Sequence, residues 1–153
     1  MTEKTENFHS NPWDFSNAEE RMFSHDRQNR IEYGDLIEFS MGSPLAGVCY
    51  WIDSNNGKHL IGDQCGGPPI WNITGDKVAV PLWKWTLLKG TIQKLVIVDI
   101  IKNEWTLYKR VFRVLDLRSF ENNLIGGYDS PIYNTVSLQF DLNGEEIEKR
   151  KQI

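Results

Sequence analysis

Short β-rich runs separated by turn residues fill the chain from Asp35 to Leu142, and they limit its fold more than any other feature. They recur at roughly 8–12 residues, a spacing typical of sandwiches and barrels. No helical segment lies between them, so neighbouring strands are expected to pair directly and antiparallel. The pattern predicts an all-β fold, built as an antiparallel sheet, a sandwich or a small barrel.

Individual runs predict how deeply each strand is buried. Apolar and polar residues alternate from Val136 to Leu142, which indicates a strand with one face in the core. The run from Leu95 to Ile101 (LVIVDII), apolar except for Asp99, predicts the most buried strand. Pro81 inside the run from Lys77 to Leu88 predicts an edge strand or a bulge, because proline donates no backbone hydrogen bond. Asn56-Gly57 predicts a tight hairpin turn.

Both ends of the chain are polar. Ser16 and Glu19 have the spacing of a capping box, which predicts a short surface helix over about residues 17–28. The alternative is a disordered tail with two incidental aromatic residues. We divide the chain into an N-terminal segment (1–34), a single β domain (35–144) and a charged C-terminal tail (145–153).

The composition narrows the class of protein. The 153 residues suit one domain, and two cysteines cannot build a disulfide framework. We find no apolar run long enough for a membrane helix and no secretory signal, so we expect a cytoplasmic protein with reduced cysteines. A net charge of −4 argues against nucleic acid and anionic membranes as partners, and it favours a basic protein.

A local motif resembles a known repeat. In CGGPPIWNITGDKVAVPL, which begins at Cys65, a proline precedes an aromatic residue, a Gly-Asp turn and an apolar strand. This order, continued over residues 65–109, resembles a blade of TolB-type and WD-like β-propellers. The chain is too short for the four or more blades of a propeller. The resemblance therefore implies blade-like β-meanders within one small domain.

The chemistry of the sequence does not favour an enzyme. Phosphate-binding loops, serine-hydrolase elbows, zinc-protease motifs and C-x-x-C pairs are all missing. His59, Asp63 and Cys65 lie close together in sequence, yet their spacing fits no standard zinc site, and a thiol enzyme would need both groups on rigid elements. We expect neither metal nor any other cofactor.

Six candidate residues could contact a partner protein. Trp83 and Trp85 share one face of a strand, and if that face is exposed they form a binding anchor. If it is the core face, Lys84 points to water instead. The acids in or beside loops, which could steer a basic partner, are Asp53, Asp63, Glu121 and Asp129.

Three classes of function remain. The first is a protein-binding module, similar in general character to small acidic bacterial immunity proteins, which neutralise a toxin domain by covering its active site. Opposite charge would speed association with a basic toxin. The second is a small-molecule-binding or hydrolytic β-domain that uses the loop from His59 to Cys65. The third is a structural subunit of an oligomer. We favour the binding module.

Overall fold

The computed structural model describes residues 10–153, and the regular structure there is almost entirely β-strand. The prediction of an all-β fold is confirmed. The strands are β1 (Arg30–Tyr33), β2 (Ile37–Glu38), β3 (Leu45–Ile52), β4 (Lys58–Cys65), β5 (Ile70–Trp71), β6 (Lys77–Thr86), β7 (Gly90–Asp99), β8 (Glu104–Tyr108), β9 (Leu115–Glu121), β10 (Leu124–Asp129), β11 (Val136–Asp141) and β12 (Ile147–Gln152).

The strands form two antiparallel sheets. The larger sheet has the order β1-β3-β4-β6-β7-β8-β12, with β2 added to β3 and β5 added to β6. The smaller sheet has the order β11-β10-β9. Within residues 10–153 neither sheet closes, so the structure does not contain the small barrel that the sequence left open.

The two central strands, β6 and β7, are buried on both faces over residues 78–82 and 95–99. On one face, Val80 and Val96 belong to a core cluster that includes residues from the N-terminal segment and from β1, β3 and β4. On the other face, Ala79 and Ile97 pack with residues from all three strands of the smaller sheet. Burial on both faces explains why these strands read as continuous apolar runs rather than alternating ones.

Pro81 corrects one prediction. It lies in a central strand, and the ten register pairs between β6 and β7 run past it without a bulge. On its other side β6 pairs with β5 only at Val78 and Ala79, and with β4 only at Leu82. Pro81 occupies the gap, where its carbonyl accepts from Gly66 N at 2.9 Å. Because no strand pairs with β6 at Pro81 on that side, the missing N–H group leaves no carbonyl of a neighbouring strand without a donor.

The predicted N-terminal helix is wrong. Only a three-residue 3₁₀ turn, Glu20–Met22, forms in the described part of that segment, and residues 1–9 of the segment lie outside the described residues. Glu19 does accept from Ser16 N at 3.2 Å, as a capping box requires. Asn17, however, bonds both the N–H and the carbonyl of Tyr33 in β1, each at 2.8 Å. These bonds to the sheet replace the helix.

The charged residues at the C-terminus are also part of the sheet. Most of the segment 145–153 forms β12, which pairs with β8 at the edge of the larger sheet. Lys151 lies 4.4 Å from the centre of the Trp105 ring, and Lys94 forms an ion pair with Glu148. Because all six residues of β12 are exposed, its sequence shows no apolar alternation that would reveal a strand.

Candidate functional site

The hairpin of β6 and β7 projects from the larger sheet and ends in a three-residue turn, 87–89. The Thr86 hydroxyl fixes this turn, because Oγ1 donates to Gly90 O at 2.9 Å and accepts from Lys89 N at 3.0 Å. Gly90 has a φ of +72°, which suits glycine best. The tip is therefore a defined turn on a fully paired ladder.

Trp83 and Trp85 have different environments although they share a face of β6. Trp83 is 8% exposed, and its ring packs edge-on against Phe39 with 4.9 Å between ring centres. Trp85 is 71% exposed. The sequence left open whether this face belongs to the core or to the surface. The core ends between the two residues, so each possibility holds for one of them.

Exposed apolar side chains lie at this tip and on a second segment that contacts β6. Leu87 and Leu88, in the turn, are 83% and 95% exposed. The segment from β2 into the β2–β3 loop adds further exposed apolar residues, and its contact between Phe39 and Trp83 places it beside β6. We call this set the hairpin-end surface. Its members are Phe39, Trp85, Leu87 and Leu88.

Two lysines flank the apolar tip. Lys84 and Lys89 are both exposed, and neither forms an ion pair with any residue in 10–153. Glu38, in β2, directly precedes Phe39 in the sequence, and it is exposed too. Within residues 10–153, the hairpin thus presents apolar groups between two cations that form no ion pair.

Two of the four candidate acids stabilise turns. Asp53 accepts from the N–H groups of Asn55 and Gly57 at 2.8 and 2.7 Å and contacts His59 Nε2 at 2.8 Å. The hydrogen bond to His59, followed by the two backbone bonds, lowers the pKa of the Asp53 carboxyl. Asp129 accepts from the N–H groups of Arg113 and Val114, both at 3.0 Å. Sequence spacing gave no sign of these roles.

The other two acids are exposed on different sheets. Asp63 lies in β4 of the larger sheet, and Glu121 ends β9 of the smaller one. Neither belongs to the hairpin-end surface. The structure therefore does not gather the six candidate residues into one patch.

The loop that could have formed a hydrolytic site is arranged differently. His59 stacks on Trp51, with 4.4 Å between ring centres, while Cys65 is fully buried in the core. The two residues lie at opposite ends of β4, about 20 Å apart at the usual rise of a strand. They form no base–nucleophile pair. In residues 10–153 we also find no group of three or more His, Cys, Asp or Glu side chains placed to hold a metal ion.

A groove of about 580 Å³ lies between the N-terminal segment, β5 and β9. Arg21, on its wall, donates from Nε to Pro69 O at 3.1 Å and from Nη2 to Leu117 O at 2.9 Å. Burial lowers the pKa of Arg21, and the nearby Asp116 carboxylate opposes that change. Asp116 accepts from Arg118 at 2.8 Å, while its Oδ1 atom has no hydrogen-bond partner among the described residues. No local pattern in the sequence reveals this charge cluster around the buried Asp116, because Arg21 lies far from Asp116 and Arg118 along the chain.

Comparisons with known proteins leave the family open. The chain matches no family model, no curated protein and no solved structure. The resemblance of residues 65–109 to a propeller blade stays a prediction that these comparisons do not test. No helix in the described residues is long and apolar enough to cross a membrane.

Proposed function

We propose that this protein is a binding module that contacts another protein through the hairpin-end surface. The observation that carries the proposal is the exposure of Trp85, Leu87 and Leu88 together on one fixed hairpin tip. Single exposed apolar residues are common, whereas adjacent large ones are typical of interaction sites. The proposal thus rests on a cluster and not on one side chain.

Trp85 is the expected anchor. An aromatic side chain buries about 150–250 Å² when it is fully covered. At 71% exposure, Trp85 offers on the order of 150 Å², worth about 4 kcal/mol before the costs of association. Tryptophans in this position commonly contribute about 2 kcal/mol or more to affinity. One residue can therefore dominate the contact.

The finer form of the proposal is an immunity-type protein that covers the active site of a basic toxin domain. Its support is the small single β domain and the net charge of −4, which would attract a basic partner over long range. Asp63 and Glu121, both exposed, are the candidate acids best placed to add to this attraction. Co-purification with a toxin domain encoded beside this gene, and inhibition of that toxin, would test this form.

The alternatives have less support. A homo-oligomer with twofold symmetry would bring the same patch of two copies together. Such an interface would bring together four lysines, Lys84 and Lys89 of each copy, and this gathering of like charges is unfavourable. A small-molecule site at the loop from His59 to Cys65 lacks converging groups, because Asp53 engages His59 and the core encloses Cys65.

Site-specific photocrosslinking tests the proposed surface. Thr91 is exposed and lies in register with Trp85, so p-benzoylphenylalanine at position 91 samples the surface while the anchor stays intact. The matched control carries the same crosslinker at Ile101, which is 74% exposed in the turn between β7 and β8. Both proteins are irradiated in a lysate of the source cells.

We expect a discrete protein adduct from position 91, none from position 101, and loss of the adduct when Trp85→Ser is added. Trp85→Ser should leave the urea unfolding midpoint nearly unchanged, since an exposed side chain contributes little to stability. An adduct that forms equally at both positions, or that persists without Trp85, would refute binding through this surface.

A further inference from the structure

We infer that the partner receives the tip of the β6–β7 hairpin in a concave apolar cleft whose rim carries carboxylates. This inference rests on the proposed function and adds the shape and the charge of the partner's contact face. Leu87 and Leu88 would enter the cleft, with Trp85 against its wall. Lys84 and Lys89 would pair with carboxylates at the rim.

The exposure of the tip gives the shape. Leu88 is 95% exposed and Leu87 is 83% exposed, so almost nothing in the described chain covers either side of the turn. A flat partner would cover one side of such a projection and leave the other in water. A cleft covers both, and it also desolvates the surroundings of the anchor, as interface hot spots require.

The fixed geometry of the hairpin suits insertion. Ten register pairs join β6 and β7, and the Thr86 hydroxyl bonds close the turn. A tip that is already ordered loses little conformational freedom when it binds. A preformed projection is therefore better matched to a cleft than a mobile loop of the same composition.

The charges at the tip give the chemistry of the rim. Lys84 and Lys89 lie one residue before Trp85 and one residue after Leu88, and neither has an ion-pair partner among residues 10–153. If the partner lacked acids, both ammonium groups would lose hydration without compensation. Carboxylates at the rim provide that compensation, and they also fix the orientation of the hairpin.

Local and overall charge are compatible. The net charge of −4 acts over several ångströms of solvent and favours a basic partner. Lys84 and Lys89 act at contact distance, where individual carboxylates decide the fit. Hydrolase clefts often carry such carboxylates, as acid–base pairs or as metal ligands. A basic protein with an acidic cleft satisfies both requirements.

A charge-reversal pair tests the inference on the crosslinking protein with p-benzoylphenylalanine at position 91. The test variant is Lys84→Glu with Lys89→Glu, and Lys84→Arg with Lys89→Arg should rescue it. The matched control is Lys102→Glu with Lys149→Glu, which changes the net charge equally at two other exposed lysines that form no ion pair with the described residues. Adduct yield is measured over a salt series, and the partner's crosslinked peptide is identified by mass spectrometry.

We expect the adduct to fall about tenfold or more in the test variant, to persist in the arginine and control variants, and to weaken with salt. The partner peptide should contain Asp or Glu beside apolar residues. An adduct yield that is the same in the test variant as in the parent protein would overturn the acidic rim and leave the proposed function standing. Absence of any adduct in the parent protein overturns both.

Two further measurements keep the outcome specific. Sedimentation with phosphatidylserine vesicles tests a lipid surface, and binding that Trp85→Ser abolishes would overturn the cleft in favour of a membrane. Light scattering after size exclusion tests a second copy, and a dimer lost in Leu87→Ser would overturn it in favour of self-association. We expect neither result.

Discussion

Replacing Trp83 tests whether its buried indole N–H is unsatisfied. Trp83 is 8% exposed and packs against Phe39, yet its Nε1 atom has no hydrogen-bond partner among the described residues. Trp83→Phe keeps an aromatic ring and removes the polar group. Trp83→Ala removes both, and Trp85→Ala removes an exposed ring of the same kind from the same face.

The three substitutions should change the free energy of unfolding by different amounts. Trp83→Ala should cost up to about 4 kcal/mol, because a lost buried Trp side chain costs about 3–5 kcal/mol and relief of the unsatisfied donor returns about 1–3 kcal/mol. In Trp83→Phe a small cavity costing about 1–2 kcal/mol opposes a relief of about 1–3 kcal/mol. That variant should therefore lie between about 2 kcal/mol more stable and about 1 kcal/mol less stable than the wild type. Trp85→Ala should stay within about 0.5 kcal/mol.

Urea unfolding, followed by far-UV circular dichroism, measures all three variants. The slope of free energy against urea concentration should stay constant, so that midpoint shifts report stability alone. A loss above about 2 kcal/mol in Trp83→Phe would show that the N–H group is satisfied and that the burial argument is wrong. A large loss of stability in Trp85→Ala would show that Trp85 belongs to the core.

Three further predictions concern the rest of the fold. Gly127→Ala should destabilise by about 1–3 kcal/mol, because its Cβ would lie 2.2 Å from a backbone oxygen, whereas Gly144→Ala, with no atom closer than 4.0 Å, should be neutral in the same urea assay. The lowered pKa of Asp53 means that its contribution to stability is present above the unfolded-state pKa and is lost as pH falls through the folded-state pKa. The melting temperatures of the wild type and Asp53→Asn should therefore differ most near neutral pH and converge in acid, because the amide of Asn binds His59 less well than the carboxylate does. A difference in melting temperature that widens in acid would contradict this. Both cysteines are fully buried, so a thiol reagent should label neither in the native protein within minutes and both in urea; rapid native labelling would show that the core opens.

Much of the strand pattern could be predicted because burial imposes a period on it. In β11 Leu138 and Phe140 are buried while Ser137 and Gln139 are exposed, as the alternation indicated. The Asn-Gly pair does lie in the turn between β3 and β4, where Asn56 has a φ of +64°, but the connection spans residues 53–57 and is not the tight two-residue turn that the pair predicts. Such features depend on a few neighbouring residues, and local sequence is therefore sufficient to reveal them.

Predictions failed where distant residues decide the outcome. The capping-box residues are present, yet Asn17 bonds to β1 and the segment stays non-helical. Strand β12 has no buried residue, so only its pairing with β8 identifies it. Hydrogen bonds between segments far apart in the chain outweigh weak local preferences in both cases.

The candidate site divides in the same way. The all-β fold and the shared face of Trp83 and Trp85 could be predicted from the sequence, because side chains alternate along any strand. The packing of strands distant in sequence makes Phe39 cover Trp83 and leaves Trp85 beyond the core, at 71% exposure. The same packing lets Asp53 and Asp129 bind backbone N–H groups in turns. Alternation is a local property of a strand, whereas the edge of a core depends on where other strands end.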